Sequence, residues 1–185
     1  MNWLVVTGGH IPERTLLIDE ARRAQRIIAA DGAAELFLQE DIVPAVLIGD
    51  FDTASPQSIA ALADRGTEIV RLPVHKNMTD TEAAMDYALD VGAEDITILG
   101  ALGSRMDHTL SNIGMLLRAY RRGAVCRILD DVNELTVATG EYKIQGRPGQ
   151  TVSILPLTGD LIVTATGLEY PLKQLSLPFG SSRGV

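Results

Sequence analysis

The sequence predicts an α/β protein in which a mostly parallel sheet with flanking helices precedes a small antiparallel β domain. Over the first two-thirds of the chain, short apolar runs alternate with segments of helical periodicity, which is typical of a sheet covered by helices on both faces. The apolar runs are continuous, as in parallel strands that are buried on both faces. After about Asn133 the helical periodicity stops, and β-type runs alternate with turn sequences. The first region is therefore expected to be Rossmann-like.

Six strands and five helices are expected in this region. The strands are WLVVT (3–7), RIIAA (26–30), AVLIG (45–49), EIVRL (68–72), DITILG (95–100) and VCRIL (125–129). The helices are expected at 13–24, 33–39, 56–64, 79–90 and 107–122. Pro56 stands in a first turn, where proline is favoured, and Thr79 with Glu82 fits a capping box. The last helix carries four apolar side chains on one predicted face: Leu110, Ile113, Leu117 and Tyr120.

The second domain is expected to begin at residue 133, so that 1–132 form the α/β domain and 133–185 the β domain. Its β-type runs are ELTVAT, TVSILPL and LIVTAT, separated by TGE, GRPGQ and LTGD. Such a domain of about fifty residues buries little apolar surface alone. We therefore expect it to pack on the first domain or on a partner subunit.

Composition narrows the class of protein. The chain has 185 residues, a hydrophobic fraction of 46% and a net charge of −8. A packed core is therefore expected, and the lack of a basic stripe argues against nucleic acid as a partner. No apolar stretch approaches the roughly 20 residues that span a bilayer, and the first residues, MNWLVVTGG, do not resemble a signal peptide. The single cysteine, Cys126, suits a reducing compartment. We expect a soluble cytoplasmic protein with no membrane partner.

The residues best suited to bind a ligand follow the predicted strands. Ligands of open α/β sheets bind at the carboxyl ends of the strands, and each of these ends has glycine, aspartate or both. The sequences there are Thr7-Gly8-Gly9, Asp31-Gly32, GDFDT (49–53), the loop 73–80, the segment 100–108 and Asp130-Asp131. Glycines let backbone N–H groups approach phosphates.

Asp50 and Asp52 are the strongest candidates for a metal site. If the chain stays extended, side chains two residues apart point to the same side. Asp80, at a helix start, would supply a third oxygen of the kind that Mg²⁺ prefers. Lys76 and Arg105 are the basic residues best placed to meet phosphate. Taken singly, each of these residues also fits a structural or solvated role, and only their joint placement on one sheet edge favours function.

Several motifs together resemble a known family. The ordered set is GDFDT (49–53), Lys76 with TDTEAAMDYA (79–88), and GALGSRMDHTLSN (100–112). AADGAAEL (29–36), TVSILPL and TGLEYPL add to it. In this order and spacing, the motifs resemble the bacterial thiamine pyrophosphokinases over almost the whole chain.

The resemblance implies a fold, a reaction and a set of site residues. The fold would be a nucleotide-binding α/β domain followed by a β-sandwich, assembled as a homodimer. The reaction would transfer pyrophosphate from ATP to thiamine with Mg²⁺, giving thiamine diphosphate and AMP in a direct in-line transfer. Catalytic positions would be Asp50, Asp52, Asp80 and Asp107, with Asp50, Asp52 and Asp80 on the metal. Nucleotide-site positions would be Asp31, Gly32, Lys76, Thr79, Gly103, Arg105, His108 and Asn112. Thiamine would meet Tyr170 and Ser182, and the general base would be Asp107 or Asp80.

Two alternatives remain open on the sequence. An apolar strand followed by Asp-x-Asp-x-Thr also resembles phosphatases of the haloacid dehalogenase type, in which Asp50 would be a covalent nucleophile and Asp52 its acid/base. The second alternative is a nucleotide- or thiamine-binding protein without turnover. It rests on Arg183, which stands where the family has asparagine, and on the end of the sequence at Val185, where the family continues into a further strand.

Overall fold

The computed structural model describes residues 1–10 and 13–185, and the chain divides into two compact units, Met1–Gly140 and Glu141–Val185. We predicted the boundary at 132, but the division comes eight residues later. The reason is the short strand Glu134–Thr136, which pairs antiparallel with Val125–Leu129. The predicted run ELTVAT therefore starts in the sheet of the first unit.

The sheet of the first unit has seven strands. In chain order they are β1 Asn2–Val6, β2 Arg26–Ala30, β3 Val46–Gly49, β4 Glu68–Arg71, β5 Asp95–Leu99, β6 Val125–Leu129 and β7 Glu134–Thr136. Their spatial order is β4-β3-β2-β1-β5-β6-β7, with β1 to β6 parallel and β7 antiparallel at the edge. The six predicted strands are confirmed, each within one residue at either end.

Among the described residues, five helices cover this sheet, as predicted. They are α1 Arg14–Arg23, α2 Ala34–Gln39, α3 Pro56–Asp64, α4 Asp80–Asp90 and α5 Met106–Arg121, and a 3₁₀ turn at Asp31–Ala33 precedes α2. Thr79 caps α4 by accepting the Glu82 N–H at 3.1 Å. The other half of the predicted capping box is not formed, because the Glu82 carboxylate pairs with Arg118.

The helices lie on both faces of the sheet and bury two apolar layers. One layer joins β-strand residues such as Leu4 and Val6 to α1, α2 and α3. The other joins Trp3 and Val5 to α4 and α5. The predicted apolar face of α5 is wrong: Leu110 and Tyr120 are exposed, and the buried residues are Asn112, Met115, Leu116 and Ala119. Two adjacent stripes of this helix are apolar, and helical periodicity alone does not distinguish them.

Strand register brings the candidate acids together. Ala30 of β2 pairs with Ile48 of β3, so Asp31 and Asp50 follow neighbouring strands at nearly the same level. All carboxyl ends of β1 to β6 meet at the same edge, which we call the carboxyl edge. The strand order reverses between β1 and β5, the position at which ligands bind in such sheets.

The second unit contains one antiparallel pair, β8 Leu161–Ala165 and β9 Leu172–Leu177, with an irregularity between Val163 and Ala165. The predicted antiparallel character is confirmed. The run TVSILPL is not a strand; its Ile154 N–H donates to the Gly184 carbonyl at 2.8 Å. Residues 141–185 thus form a two-stranded sheet, and the second layer of the implied β-sandwich is not found among them. Of the helices in the described part of the chain, none is long and apolar enough to cross a membrane.

Candidate active site

Three aspartates converge on the carboxyl edge. Carboxylate oxygens of Asp31, Asp50 and Asp52 all lie within 4.8 Å of one another, a spacing at which they could hold a metal ion. We call these three residues the acidic cluster. Gly49 is required for it, because a Cβ at this position would lie 2.8 Å from the Asp31 Cβ. Glycine at 49 therefore lets the end of β3 approach Asp31.

Two residues of the site have left-handed backbones. Asp31 has a φ of 28° and Phe51 a φ of 61°, a conformation that is uncommon for residues with a Cβ and costs about 1–3 kcal/mol. The extended path that we assumed through Asp50 and Asp52 is therefore wrong, because the chain turns sharply at Phe51. The turn still keeps the two carboxylates together, since the Asp52 N–H donates to Asp50 Oδ1 at 3.4 Å.

Asp31 is the buried member of the cluster, with 6% of its surface exposed. It follows β2 directly and accepts the N–H groups of Thr53 and Ala54, both at 3.3 Å. Burial raises the pKa of Asp31 above its usual value, although these hydrogen bonds act in the opposite direction. The Thr53 hydroxyl donates to Asp52 at 2.9 Å. The loop after β3 is thus tied to the carboxylate after β2.

Lys76 joins Asp80 to the acidic cluster. Its ammonium nitrogen lies 2.9 Å from Asp50 Oδ2 and 3.0 Å from Asp80 Oδ1. The hydrogen bond from Lys76 is the main reason why the pKa of Asp50 is lowered. Asp80 was expected as the third metal position together with Asp50 and Asp52. The structure places Asp31 within reach of Asp50 and Asp52, and it places Asp80 next to Lys76.

A second charged group follows β5. Arg105 donates to both oxygens of Asp107, at 3.2 Å from Nε and 2.6 Å from Nη2. These hydrogen bonds lower the pKa of Asp107 to about 2. Both side chains are mostly exposed, at 70% and 65%. The pair is therefore free to exchange its contacts for those of a ligand.

The other residues that were predicted to bind nucleotide lie in or next to the loops of this edge. Asn112 is buried and donates to the Ala101 carbonyl at 2.6 Å. Its Oδ1 is buried and has no hydrogen-bond partner among the described residues. Gly103 donates to the Thr109 hydroxyl at 3.2 Å, and His108 is half-buried at the start of α5. Gly32 lies half-buried directly after Asp31, facing Thr53.

Two residues of the edge were missed by sequence reasoning. Arg71 ends β4, and its guanidinium carbon lies 4.7 Å from the centre of the Phe51 ring. His10 follows the glycines after β1, donates its N–H to the Leu102 carbonyl at 2.9 Å, and lies 3.3 Å from Asp131 through Nε2. Arg71 is the last residue of β4 and His10 lies in the loop after β1, so a search of strand ends for basic side chains as well as acids and glycines would have found them.

Comparisons with known proteins identify the family of this chain. The family model described as thiamin pyrophosphokinase, catalytic domain, matches residues 18–128, and the one described as thiamin pyrophosphokinase, vitamin B1 binding domain, matches residues 141–185. The chain belongs to the thiamin pyrophosphokinase family. The catalytic-domain match contains the acidic cluster, Lys76, Asp80 and the Arg105–Asp107 pair.

Individual relatives of this family cover nearly the whole chain. The thiamine pyrophosphokinase of Bacillus subtilis (strain 168) is 29% identical, over 96% of this chain and 85% of its own. Thiamin pyrophosphokinase 1 of Caenorhabditis elegans is 29% identical, over 85% of this chain and 69% of its own. The crystal structure of the Bacillus subtilis enzyme superposes with a TM-score of 0.86 and 28% identity, covering 100% of this chain and 88% of that one.

The family assignment decides between the alternatives of the sequence. The predicted resemblance to thiamine pyrophosphokinases is confirmed, and the phosphatase interpretation with Asp50 as covalent nucleophile is not favoured. The two expected thiamine residues lie in the part matched by the vitamin B1 binding domain. Tyr170, in the connection between β8 and β9, is 77% exposed, and Ser182, after β9, is also exposed.

Proposed function

We propose that this chain is an ATP-dependent thiamine diphosphokinase, a transferase that moves the pyrophosphoryl group of ATP to the hydroxyethyl oxygen of thiamine. The observation that carries the proposal is the acidic cluster at the carboxyl edge of a chain with both family domains. In the reaction, the thiamine oxygen attacks the β-phosphorus, the bond from that phosphorus to the α,β-bridging oxygen breaks, and AMP leaves. The hydroxyl proton passes to a carboxylate.

The donor set of the acidic cluster fits Mg²⁺. The ion takes hard oxygen ligands at about 2.1 Å, so opposite ligands of its octahedron are roughly 4.2 Å apart. Oxygens of Asp31, Asp50 and Asp52 that lie within 4.8 Å of one another match this scale. When bound, Mg²⁺ would neutralise charge on the polyphosphate. We assign Asp31, Asp50 and Asp52 as its candidate ligands, with Asp80 beside them through Lys76.

The basic residues of the edge would position the phosphates. Lys76 supplies a compact charge next to the cluster, and the planar guanidinium of Arg105 supplies paired donors that match phosphate oxygens. The N-terminus of α4, at Thr79 and Asp80, and the glycine loops after β1 and β5 offer backbone N–H groups. Phosphoryl-type transfer depends mostly on such positioning and charge neutralisation.

We assign Asp107 as the acceptor of the thiamine proton. While Arg105 donates to both of its oxygens, its pKa stays at about 2, and it is a weak base. When Arg105 turns to phosphate oxygens, Asp107 loses these hydrogen bonds and becomes a stronger base. The same movement would therefore bind ATP and prepare proton transfer. Asp80 remains the alternative acceptor, since it also lies beside the cluster.

The second unit would supply the thiamine contacts and a dimer interface. Tyr170 offers an exposed ring for stacking on the pyrimidine, and Ser182 an exposed hydroxyl. The unit also exposes many large apolar side chains, among them Ile144, Leu155, Ile162 and Phe179. Such exposure is typical of a surface that a partner covers. We propose a homodimer, and the cytoplasm as its compartment, where ATP is available.

A product assay tests the proposed function. The protein is incubated with ATP, MgCl₂ and thiamine, and the products are separated by chromatography and identified by ³¹P NMR. We expect AMP and thiamine diphosphate in equal amounts, with no AMP when thiamine is omitted. Phosphate release from a generic phosphate ester without dependence on thiamine would favour the phosphatase alternative. Tight binding of ATP and thiamine without product would favour the binding protein.

A further inference from the structure

Lys76 lies in the loop between β4 and α4 and points inward. Its side chain is 11% exposed, as is that of Asp50, and Asp80 is 26% exposed. The ammonium group lies between the two carboxylates, 2.9 Å from Asp50 and 3.0 Å from Asp80. A half-buried lysine that contacts two acids is an internal counter-ion rather than a solvated loop residue.

The surroundings hold Lys76 charged. Burial acts to lower its pKa, but the hydrogen bond to Asp50, the ion pair with Asp80 and the charges of these residues outweigh burial, so that the pKa is raised. The ammonium group in turn stabilises Asp50 in its ionised form. One positive charge is thus fixed next to a group of acids that would otherwise repel one another.

Asp50 has two roles that compete. It belongs to the acidic cluster that is proposed to bind Mg²⁺, and it accepts a hydrogen bond from Lys76. A divalent cation about 2.1 Å from an Asp50 oxygen would lie within a few ångström of the ammonium nitrogen. Two positive charges at that distance in a partly buried site repel each other strongly. The contact between Lys76 and Asp50 therefore opposes binding of a free cation.

We infer that Lys76 keeps the acidic cluster in a low-affinity state for free divalent cations until a polyphosphate draws its ammonium group away from Asp50. This inference rests on the proposed function, since it deepens the role of the same metal site. It makes Lys76 a positioning residue that couples cation binding to nucleotide binding.

The lysine side chain suits this exchange. Its ammonium group is a point charge on a flexible four-carbon stem, so it can leave one anion for another without a change in the backbone. A polyphosphate carries more negative charge than a single carboxylate and is the stronger partner. Once Lys76 has moved, Asp50 is free for the cation, and each ligand favours the binding of the other by the same factor.

The test is a titration with Mn²⁺ alone, without nucleotide or thiamine, in which free Mn²⁺ is measured by electron paramagnetic resonance. Lys76→Met is expected to bind Mn²⁺ at least about tenfold more tightly than the wild type, because a unit charge a few ångström away is removed. Lys76→Arg keeps the charge and is expected to bind like the wild type. Arg65→Met is the matched control. Arg65 directly follows α3, pairs with Asp41, and lies at the opposite edge of the sheet, so this variant should bind Mn²⁺ like the wild type.

A double variant locates the effect. If Lys76 acts by occupying Asp50, the gain from Lys76→Met disappears in the Asp50→Asn background, and the two substitutions are strongly non-additive. Should Lys76→Met fail to fold, as judged by circular dichroism and thermal melting, Lys76→Gln takes its place with the same expectation.

Equal Mn²⁺ affinity in the wild type and in folded Lys76→Met or Lys76→Gln would overturn the inference, and so would a gain that persists with Asp50→Asn. These outcomes are separate from failure of the proposed function. That failure would appear as normal Mn²⁺ behaviour without thiamine diphosphate formation. Absence of Mn²⁺ binding in every variant, with or without a non-hydrolysable ATP analogue, would remove the acidic cluster as a metal site and the role of Lys76 with it.

Discussion

The carboxyl edge holds two charged groups that differ in how firmly the fold fixes them. The acidic cluster follows β2 and β3; its Asp31 is only 6% exposed and, like Phe51, has a left-handed backbone. The Arg105–Asp107 pair follows β5, and its side chains are 70% and 65% exposed. One group is built into the sheet, and the other lies on its surface.

This difference in burial and backbone strain indicates whether each group is already arranged before a ligand binds. Strained backbones persist only where the surrounding structure over-determines them, so the acidic cluster is formed before any ligand binds. An exposed ion pair contributes little to stability and is free to rearrange around a ligand. Substitutions at residues that build the cluster should therefore change stability as well as activity, whereas those in the exposed pair should change activity alone.

The largest effect is expected from Asp52→Asn. Loss of one carboxylate from the cluster removes several kcal/mol of charge stabilisation, which corresponds to a fall in turnover on the order of 10³-fold. Because Asp52 is the exposed member of the cluster, the melting temperature should stay close to that of the wild type. Asp64→Asn, the same change at the end of α3, is the control and should keep full activity. Full activity in Asp52→Asn would contradict the metal assignment.

Gly49→Ala tests whether the cluster is built by close approach of β3 to Asp31. A Cβ here would lie 2.8 Å from the Cβ of Asp31, 3.2 Å from its Cα and 3.3 Å from its backbone nitrogen, so the backbone has to shift. We expect a loss of about 1–3 kcal/mol in unfolding free energy together with reduced Mn²⁺ affinity. Both are measured on the same protein, by urea denaturation and metal titration.

A matched control for this variant is available in α5. Gly114 has open space around the position of its Cβ, and alanine is the better helix former by about 1 kcal/mol. Gly114→Ala should therefore stabilise the protein, while Gly49→Ala destabilises it. Equal stability of the two variants would show that the approach of β3 to Asp31 is not needed.

Arg105→Ala should affect the exposed group alone. Loss of its charge-assisted hydrogen bonds to the phosphates should lower kcat/KM for ATP about 10- to 100-fold, with little change in melting temperature. The pKa of Asp107, now about 2, should rise toward its usual value, which NMR titration of the carboxyl group measures. A pKa that stays near 2 in this variant would contradict the dominant role of Arg105.

Local sequence was sufficient for most of the fold. Continuous apolar runs locate the six parallel strands, and Pro56 and Thr79 mark helix starts that the structure confirms. These features depend on residues close together in the chain. The pairing of β7 with β6 and the buried face of α5 depend on tertiary packing. The run ELTVAT was assigned to the second domain, and the apolar face of α5 was predicted wrongly.

The candidate site was predictable in its residues but not in its geometry. The acids of GDFDT and the basic residues after β4 and β5 are recognisable from their places at strand ends. The proximity of Asp31 to Asp50 and Asp52 depends on the register of β2 with β3. The turn at Phe51 and the contact of Lys76 with two carboxylates likewise arise from long-range packing. The spacing of residues along the chain reveals neither strand register nor long-range packing.

Asp31→Asn gives the sharpest contrast in stability between the two groups. The pKa of Asp31 is raised in the folded state by burial. Its favourable contribution to stability is therefore complete below the pKa of the unfolded chain and is lost as pH rises through the folded value. At neutral pH the buried carboxylate opposes folding, so Asp31→Asn should be more stable than the wild type. Turnover should nevertheless fall.

Asp107→Asn should behave in the opposite way, because the folded-state pKa of Asp107 is lowered. Its favourable contribution is present above the unfolded value near 3.8 and is lost as pH falls toward about 2. Removing this carboxylate therefore gives no gain in stability at neutral pH. Urea denaturation of both variants and the wild type between about pH 3 and pH 7 measures the difference. If burial of the charged Asp31 carboxylate opposes folding, Asp31→Asn should be more stable than the wild type, and its gain should grow with pH. Asp107→Asn should show no such gain. Destabilisation of Asp31→Asn at pH 7 would instead mean that the hydrogen bonds from Thr53 and Ala54 outweigh the burial of the charge.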